Sequence, residues 1–210
     1  MPLVRKPSGA AGAPPPAADL ATIRTTLANG NDDERWSAAR AAADVPGVET
    51  VLGEALTREA SPRVREALFT SLARIATAQS VETALPFLRS DDARVRTEAS
   101  GALMAMKDVT APYMAALLHD DDADVRILAC EVVRNLPNDT ASRLFCDLLD
   151  SEPEQNVCAA AIDALAEIGG PDALPVLARC AERFRHTPFL SFSIKIATDR
   201  IRSQSPDPRA

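Results

Sequence analysis

The sequence predicts an all-α solenoid of about six antiparallel helix pairs, on three observations. One pattern recurs along the chain, as Pro62-Arg63-Val64-Arg65-Glu66-Ala67, then from Asp92 to Ala99, from Asp122 to Ala129, and from Glu154 to Ala161. Its aligned valines, Val64, Val95, Val125 and Val157, lie 31, 30 and 32 residues apart. A period of ~30 residues holds two short helices, and units of that size bury their apolar faces only by stacking on one another. Apolar residues after each repeat start follow helical spacing, with Val95, Ala99, Ala102, Leu103 and Met106 in one unit and Val125, Leu128, Ala129, Val132 and Val133 in the next. The chain is 46% hydrophobic but only 4% aromatic. Its small side chains let helices approach near the lower end of the usual ~8–10 Å separation.

Taken in order, residues 1–17 contain Pro2, Pro7, Gly9, Gly12 and Pro14-Pro15-Pro16, a composition that denies a helix its donors and predicts an extended, disordered tail. The repeat domain then covers 18–202. Its first pair is expected from Asp19 to Ala43, broken at Asn29-Gly30-Asn31-Asp32, and its second from Val48 to Ala76, broken near Ser61-Pro62. The third spans Val81 to Met106 across Ser90-Asp91-Asp92, and the fourth Ala111 to Asn135 across Asp120-Asp121-Asp122. The fifth spans Thr140 to Ile168 across Asp150 to Pro153, and the sixth Asp172 to Arg202 across His186-Thr187-Pro188. Ser61, Asp92 and Asp122 stand where an N-cap oxygen accepts from the first turn of the second helix. Gly169-Gly170-Pro171 stops one helix and starts the next. Residues 203–210 read as a second disordered end.

Net charge is -7, and it is unevenly spread. Residues 19–181 carry -12, whereas residues 182–202 carry +3. A body that acidic lacks the basic stripe that neutralises phosphates, so nucleic acid is not the expected ligand. Cys130, Cys146, Cys158 and Cys180 fall inside expected helices with no C-x-x-C spacing, as small buried hydrophobes do in a reducing compartment. Arg5-Lys6 is followed by Pro and Gly rather than a secretory apolar core, and no stretch reaches the ~20 apolar residues of a membrane span. A soluble, cytoplasmic protein is expected, with no membrane partner.

The motif D-x-x-V-R-x-x-A, whole at Asp92, Val95, Arg96, Ala99 and again at Asp122, Val125, Arg126, Ala129, resembles the HEAT-like repeats named after phycobilisome bilin lyases. The resemblance covers residues 19–202 and implies a right-handed superhelix of HEAT-like or armadillo type, of bacterial kind. It also implies that the motif's aspartates and arginines pair between neighbouring repeats as structural groups. The equivalent end positions are Asp32/Trp36 and Glu154/Cys158. Trp36 is then expected as a capping side chain, since end repeats are atypical.

No constellation asks for catalysis. The acidic run Asp120 to Asp124 lacks the glycine turn and distal bidentate carboxylate of a calcium loop. His119 and His186 are the two histidines, on different units, and neither belongs to a zinc-binding helix. Hydroxylases on this scaffold hold iron with His-Glu pairs, and no His-Glu dipeptide occurs. A Gly-rich phosphate loop and a nucleophile elbow are absent from the sequence too. Catalytic residues, metal ligands and cofactors are therefore expected to be none.

The groove is the remaining candidate. Rotating by ~100° per residue from each valine places offsets of two, five, six and nine on the concave face of the second helices. These are Glu66, Phe69, Thr70 and Ala73; Thr97, Ser100, Gly101 and Met104; Ile127, Cys130, Glu131 and Arg134; Ala159, Ile162, Asp163 and Ala166. The partner-binding set is expected among Phe69, Met104, Ile127, Glu131, Arg134, Ile162 and Asp163. Apolar residues mixed with carboxylates suit a protein segment with basic and apolar side chains. The expected function is a non-enzymatic adaptor or scaffold. The alternative the resemblance offers is bilin-lyase-like or chaperone-like handling of a cofactor. Oligomeric state is left open by the sequence.

Overall fold

In four of the units the chain turns into its second helix through the same polar arrangement. The N-cap backbone N–H donates to a side-chain oxygen two residues earlier: Ser61 to Glu59 (2.8 Å), Asp92 to Ser90 (3.2 Å), Asp122 to Asp120 (3.1 Å) and Glu154 to Glu152 (2.8 Å). Asp92 and Asp122 then accept from the N–H groups of Arg94 and Asp124, both at 2.8 Å, which satisfies donors that a helix start leaves free. Ser61 differs from expectation: its hydroxyl makes no cap bond, and Pro62, with no N–H to satisfy, opens the helix instead.

The computed structural model describes residues 19–204. Within them the pairs are α1 (Leu20–Asn29) with α2 (Asp32–Ala42), and α3 (Glu49–Leu56) with α4 (Pro62–Ile75). Next, α5 (Ala78–Ala84), prolonged by a 3-10 turn over Leu85–Arg89, pairs with α6 (Ala93–Ala105). The fourth first helix is broken into α7 (Lys107–Thr110), a 3-10 turn over Ala111–Tyr113 and α8 (Met114–Leu117), and pairs with α9 (Ala123–Val133). Then α10 (Asn138–Ser151) pairs with α11 (Gln155–Ile168), and α12 (Leu174–Arg183) with α13 (Pro188–Gln204). The leader expected at 1–17 lies outside the described residues. So does the expected C-terminal tail, except Ser203 and Gln204, which end α13.

Two starts come earlier than expected. The third unit begins at Thr77, whose hydroxyl and Ser80 form a reciprocal cap on α5. The fourth begins at Lys107, because Met106 both closes α6 and opens α7.

The second helices pack on one another in chain order, α2, α4, α6, α9, α11, α13, and the first helices form an outer layer. At every step the second helices touch more extensively than the first do. A stack built that way curves with its second helices on the concave side. Between the layers runs one continuous core in a repeating register. Counted from the N-cap, the third, seventh and eleventh residues are buried in units two, four and five: Val64, Leu68 and Leu72; Val125, Ala129 and Val133; Val157, Ala161 and Leu165. Each buried Leu or Val side chain contributes about 1.5–3 kcal/mol. No helix among the described residues is long and apolar enough to cross a membrane.

Candidate functional site: the concave groove

The arginines of the motif are consumed by the stack. Four of them sit four residues after an N-cap, at Arg35, Arg65, Arg96 and Arg126. Arg35 bonds to Glu59 (2.9 Å), Arg65 to Glu98 (2.6 Å) and Arg126 to Glu152 (2.8 Å), each joining its unit to the next. Hydrogen bonds donated to Glu98 and Glu152 hold the Arg65 and Arg126 guanidinium pKa values above the usual range, against the desolvation that opposes them. Arg96 instead binds the carbonyls of its own loop, Ser90 at 2.7 Å and Asp91 at 3.3 Å. At that step the bridge to the next unit runs between Arg89 and Asp120.

This corrects two expectations. Glutamates, not the capping aspartates, pair with the buried arginines, because Asp92 and Asp122 turn their carboxylates to the backbone. In unit one the ladder residue is Arg35 and not Trp36, since Asn31 rather than Asp32 caps α2. At the other end Cys158 stands in the arginine position and donates through Sγ to the Glu152 carbonyl at 3.4 Å.

Beyond the exposed first turn, the second helices keep three columns open. The first, five residues after each N-cap, reads Trp36, Glu66, Thr97, Ile127, Ala159 and Phe192. The second, at nine, reads Arg40, Thr70, Gly101, Glu131, Asp163 and Ile196. The third, at thirteen, reads Asp44, Arg74, Ala105, Asn135, Glu167 and Arg200. All of these are exposed or half-buried.

Of the seven expected residues, Ile127, Glu131 and Asp163 stand in these columns, and Met104 and Arg134 lie one position before the third. Glu131 and Asp163 are exposed, and Met104, Ile127 and Arg134 are half-buried. Arg134 is drawn to the next unit by Asp163 (2.6 Å) and Glu167 (3.7 Å), and Asp163 is the main cause of its raised pKa. Met104 Sδ accepts from Asn135 Nδ2 at 3.2 Å.

Phe69 and Ile162 are corrections. Both are buried, at 3% and 0% exposure, as are Ser100 and Cys130 at the same offset. That position, eight residues after the N-cap, lies under the adjoining unit. Phe69 meets Phe87 of unit three edge-on at 5.5 Å between centroids.

Sequence reasoning takes Trp36 as a cap and picks out Phe189 and Phe192 of the sixth unit as a basic cap or contact surface, without placing either end on the groove columns. Trp36, half-buried on the first column, lies between the guanidinium groups of Arg40 (4.7 Å) and Arg63 (4.5 Å). At the far end Phe192 and Ile196 continue the first and second columns. Both ends were legible had the N-caps rather than the valines set the register.

Two shallow depressions adjoin on the groove floor. One, of about 280 Å³, is lined by Trp36, Arg40, Arg63, Glu66, Thr70 and Arg74. The other, of about 250 Å³, is lined by Glu66, Thr70, Ala73, Glu98, Gly101 and Ala105. A larger cavity of about 680 Å³ lies between the outer helices α3 and α5, where Glu54 and Glu82 are already engaged by Arg24 and Tyr113.

The remaining chemistry-bearing groups are occupied locally. His119 bonds to the Ala115 carbonyl and His186 meets Arg185. In the acidic loop Asp120 holds Arg89 and the Asp122 N–H, while Asp122 caps α9. No group of three metal-binding side chains is found among the described residues. Burial pushes the Cys130 thiol up to about 12. The neighbouring Cys158 thiol, with help from Arg183, holds Cys180 below the usual thiol value, and Cys158 is raised in return.

Among curated proteins none matches the chain. Among solved structures, an archaeal HEAT-like repeats protein from Thermococcus onnurineus NA1 is 15% identical, with 88% of this chain and 87% of that one covered and a TM-score of 0.50. The phycocyanin lyase complex of CpcE and CpcF from Nostoc sp. PCC7120 is 14% identical over 95% of this chain and 100% of that one, with a TM-score of 0.39. A designed armadillo repeat protein in complex with the peptide (KR)4 is 17% identical over 87% and 91%, with a TM-score of 0.42. The family model for HEAT repeats matches residues 48–114 and 110–185, a continuous stretch that takes in every buried arginine bridge except that of Arg35. The chain therefore belongs to the HEAT repeat family.

Proposed function

We propose that the chain is a non-enzymatic scaffold that binds a segment of a protein partner along its concave groove. One observation carries this reading: three columns of side chains stay open across all six second helices, while the arginine ladder, the caps and the core absorb the other motif residues. An extended surface without a closed cavity suits a chain-like ligand better than a small molecule. Over units four and five the groove presents Glu131, Asp163 and Glu167 against the single cation Arg134, which favours a segment with basic and apolar residues. The same acidity disfavours a phosphate backbone.

Gly101 supplies the test. A Cβ built there meets nothing within 4 Å, so Gly101→Trp sends its side chain out from open space on the groove floor. Peptides selected from a random displayed library on the immobilised chain should lose affinity for Gly101→Trp, with helical circular dichroism unchanged. Selected peptides that bind the variant undiminished would place the site elsewhere. A shifted absorption spectrum of an added tetrapyrrole, with no peptide selected, would favour cofactor handling instead.

A further inference from the structure

The last helix is the most openly apolar part of the groove. Phe192 is 66% exposed, Phe189 47% and Ile196 37%, the large apolar side chains most open to solvent among the described residues apart from Leu20 at the other end. An obvious account is that the end of a repeat stack lacks the neighbour that would cover it. The register argues against that account. Columns that face the next unit are those of the ladder and of Phe69, four and eight residues after the N-cap. In α13, which follows Thr187, these are Ser191 and Lys195. Lys195 is exposed in a column where Ala39, Phe69, Ser100, Cys130 and Ile162 are all buried. The stacking side of unit six thus carries Ser191 and Lys195 rather than the exposed apolar side chains.

Phe189, Phe192 and Ile196 occupy other columns. The position of Phe189 holds Asp33, Arg63, Arg94, Asp124 and Asn156 in the preceding units, all exposed. Phe192 and Ile196 stand on the first and second groove columns. Phe189 and Ile196 thus replace polar residues or glycine in their columns, and Phe192 is more open than the apolar members of the first column, Trp36, Ile127 and Ala159.

We propose that Phe189, Phe192 and Ile196 form the anchoring subsite of the groove, occupied by large apolar side chains of a partner segment whose following residues are basic. This rests on the reading of the groove as a peptide-binding surface and adds where the segment is anchored and which way its charges lie. Charge complementarity selects the occupant. Beyond the patch the second column continues to Asp163 and then Glu131, one and two units away; Asp163 shares Arg134, whereas Glu131 forms no ion pair among the described residues. Second helices stand ~8–10 Å apart, and an extended segment advances ~3.3 Å per residue. Basic residues therefore fall about every third position after the anchor, over Asp163 and then Glu131.

The test uses a fluorescein-labelled peptide with two leucines at one end and arginine at every third position after them, otherwise serine, read by anisotropy on the full chain. The leucines changed to serine, or the arginines to glutamate, give two control probes. The leucine–arginine probe should bind the wild type, and the doubly substituted Phe192→Ser, Ile196→Ser chain should bind it at least about ten-fold more weakly. Glu131→Lys should weaken binding several-fold and flatten its salt dependence. Because all three positions are solvent-facing, circular dichroism should be unchanged. Equal binding of the serine–arginine probe, or wild-type affinity in the double variant, overturns the proposal. So does light scattering that shows a wild-type dimer falling to monomer in the double variant, since a second copy would then cover the patch. If library-selected peptides lose binding to Gly101→Trp but not to the double variant, the groove reading stands and the anchor is refuted.

Discussion

Arg126 and Glu152 are joined by two hydrogen bonds, at 2.8 and 2.9 Å, in the seam between the fourth and fifth units, and Glu152 Oε1 also accepts the Glu154 N–H at 2.8 Å. The carboxylate thus fixes a turn and receives a neighbouring unit's charge at once. Removing one partner of a buried pair leaves the other charged and desolvated. Arg126→Ala should cost about 3 kcal/mol, and Arg96→Ala, whose guanidinium serves only the carbonyls of its own loop, about 1–2 kcal/mol. Urea denaturation of the two variants checks the difference. Equal losses would mean that the charge pair adds nothing beyond the loop contact.

The N-caps make a second pair of variants. Asp122→Ala removes the oxygen that accepts from Asp124 N–H and should cost about 1 kcal/mol. Ser61→Ala removes a hydroxyl that caps nothing, and its denaturation midpoint should match the wild type.

Two opposite substitutions should both stabilise. Gly101 lies inside α6 with open space at its missing Cβ, so Gly101→Ala should gain about 1 kcal/mol through helix propensity. Ala76, which closes α4, is the one non-glycine residue with positive φ (50°) among those described. There a Cβ is strained, and Ala76→Gly should gain about 1 kcal/mol. Thermal melts read both.

The thiols differ in access. Cys130, Cys158 and Cys180 are buried, and Cys146 is half-buried. Pulse alkylation followed by mass spectrometry should modify Cys146 first. The thiolate is the reacting species, and burial, aided by the Asp147 carboxylate, raises the Cys146 pKa. Its rate should therefore be slow near neutrality and still climbing where an unperturbed cysteine has levelled off. Earlier labelling of Cys180 would report opening between α11 and α12.

The stacked fold was legible in the valine register, because each valine packs within its own helix pair and leaves the period of one helix in the sequence. The groove was legible in part. Phe69 and Ile162 looked outward because a single helix's periodicity records only the face turned to its own partner, whereas these helices are also flanked by the helices of adjoining units. Trp36 was displaced from its column by a one-residue choice of cap, Asp32 for Asn31, between two residues of equal capping chemistry. The extension of the third and fourth units to Thr77 and Lys107 left no apolar periodicity, since short helices and 3-10 turns do not complete one.

Arg96 reaches no carboxylate of the following unit, and the first helix beyond it is broken at Pro112. Each other neighbouring step among the first five units has a buried or half-buried arginine pinned across it, while this one relies on Arg89, half open to water. A stack tied only between nearest neighbours behaves mechanically as a spring, and its compliance gathers where a coil is least braced. Among the first five units the weakest brace lies between the third and the fourth. Flexing there swings the half bearing Trp36 against the half bearing Phe192, so the groove changes its width without either half changing its shape. A pair of spin labels at Thr70 and Asp163 would read that excursion as a broad distance distribution, where a pair within one half would give a narrow one.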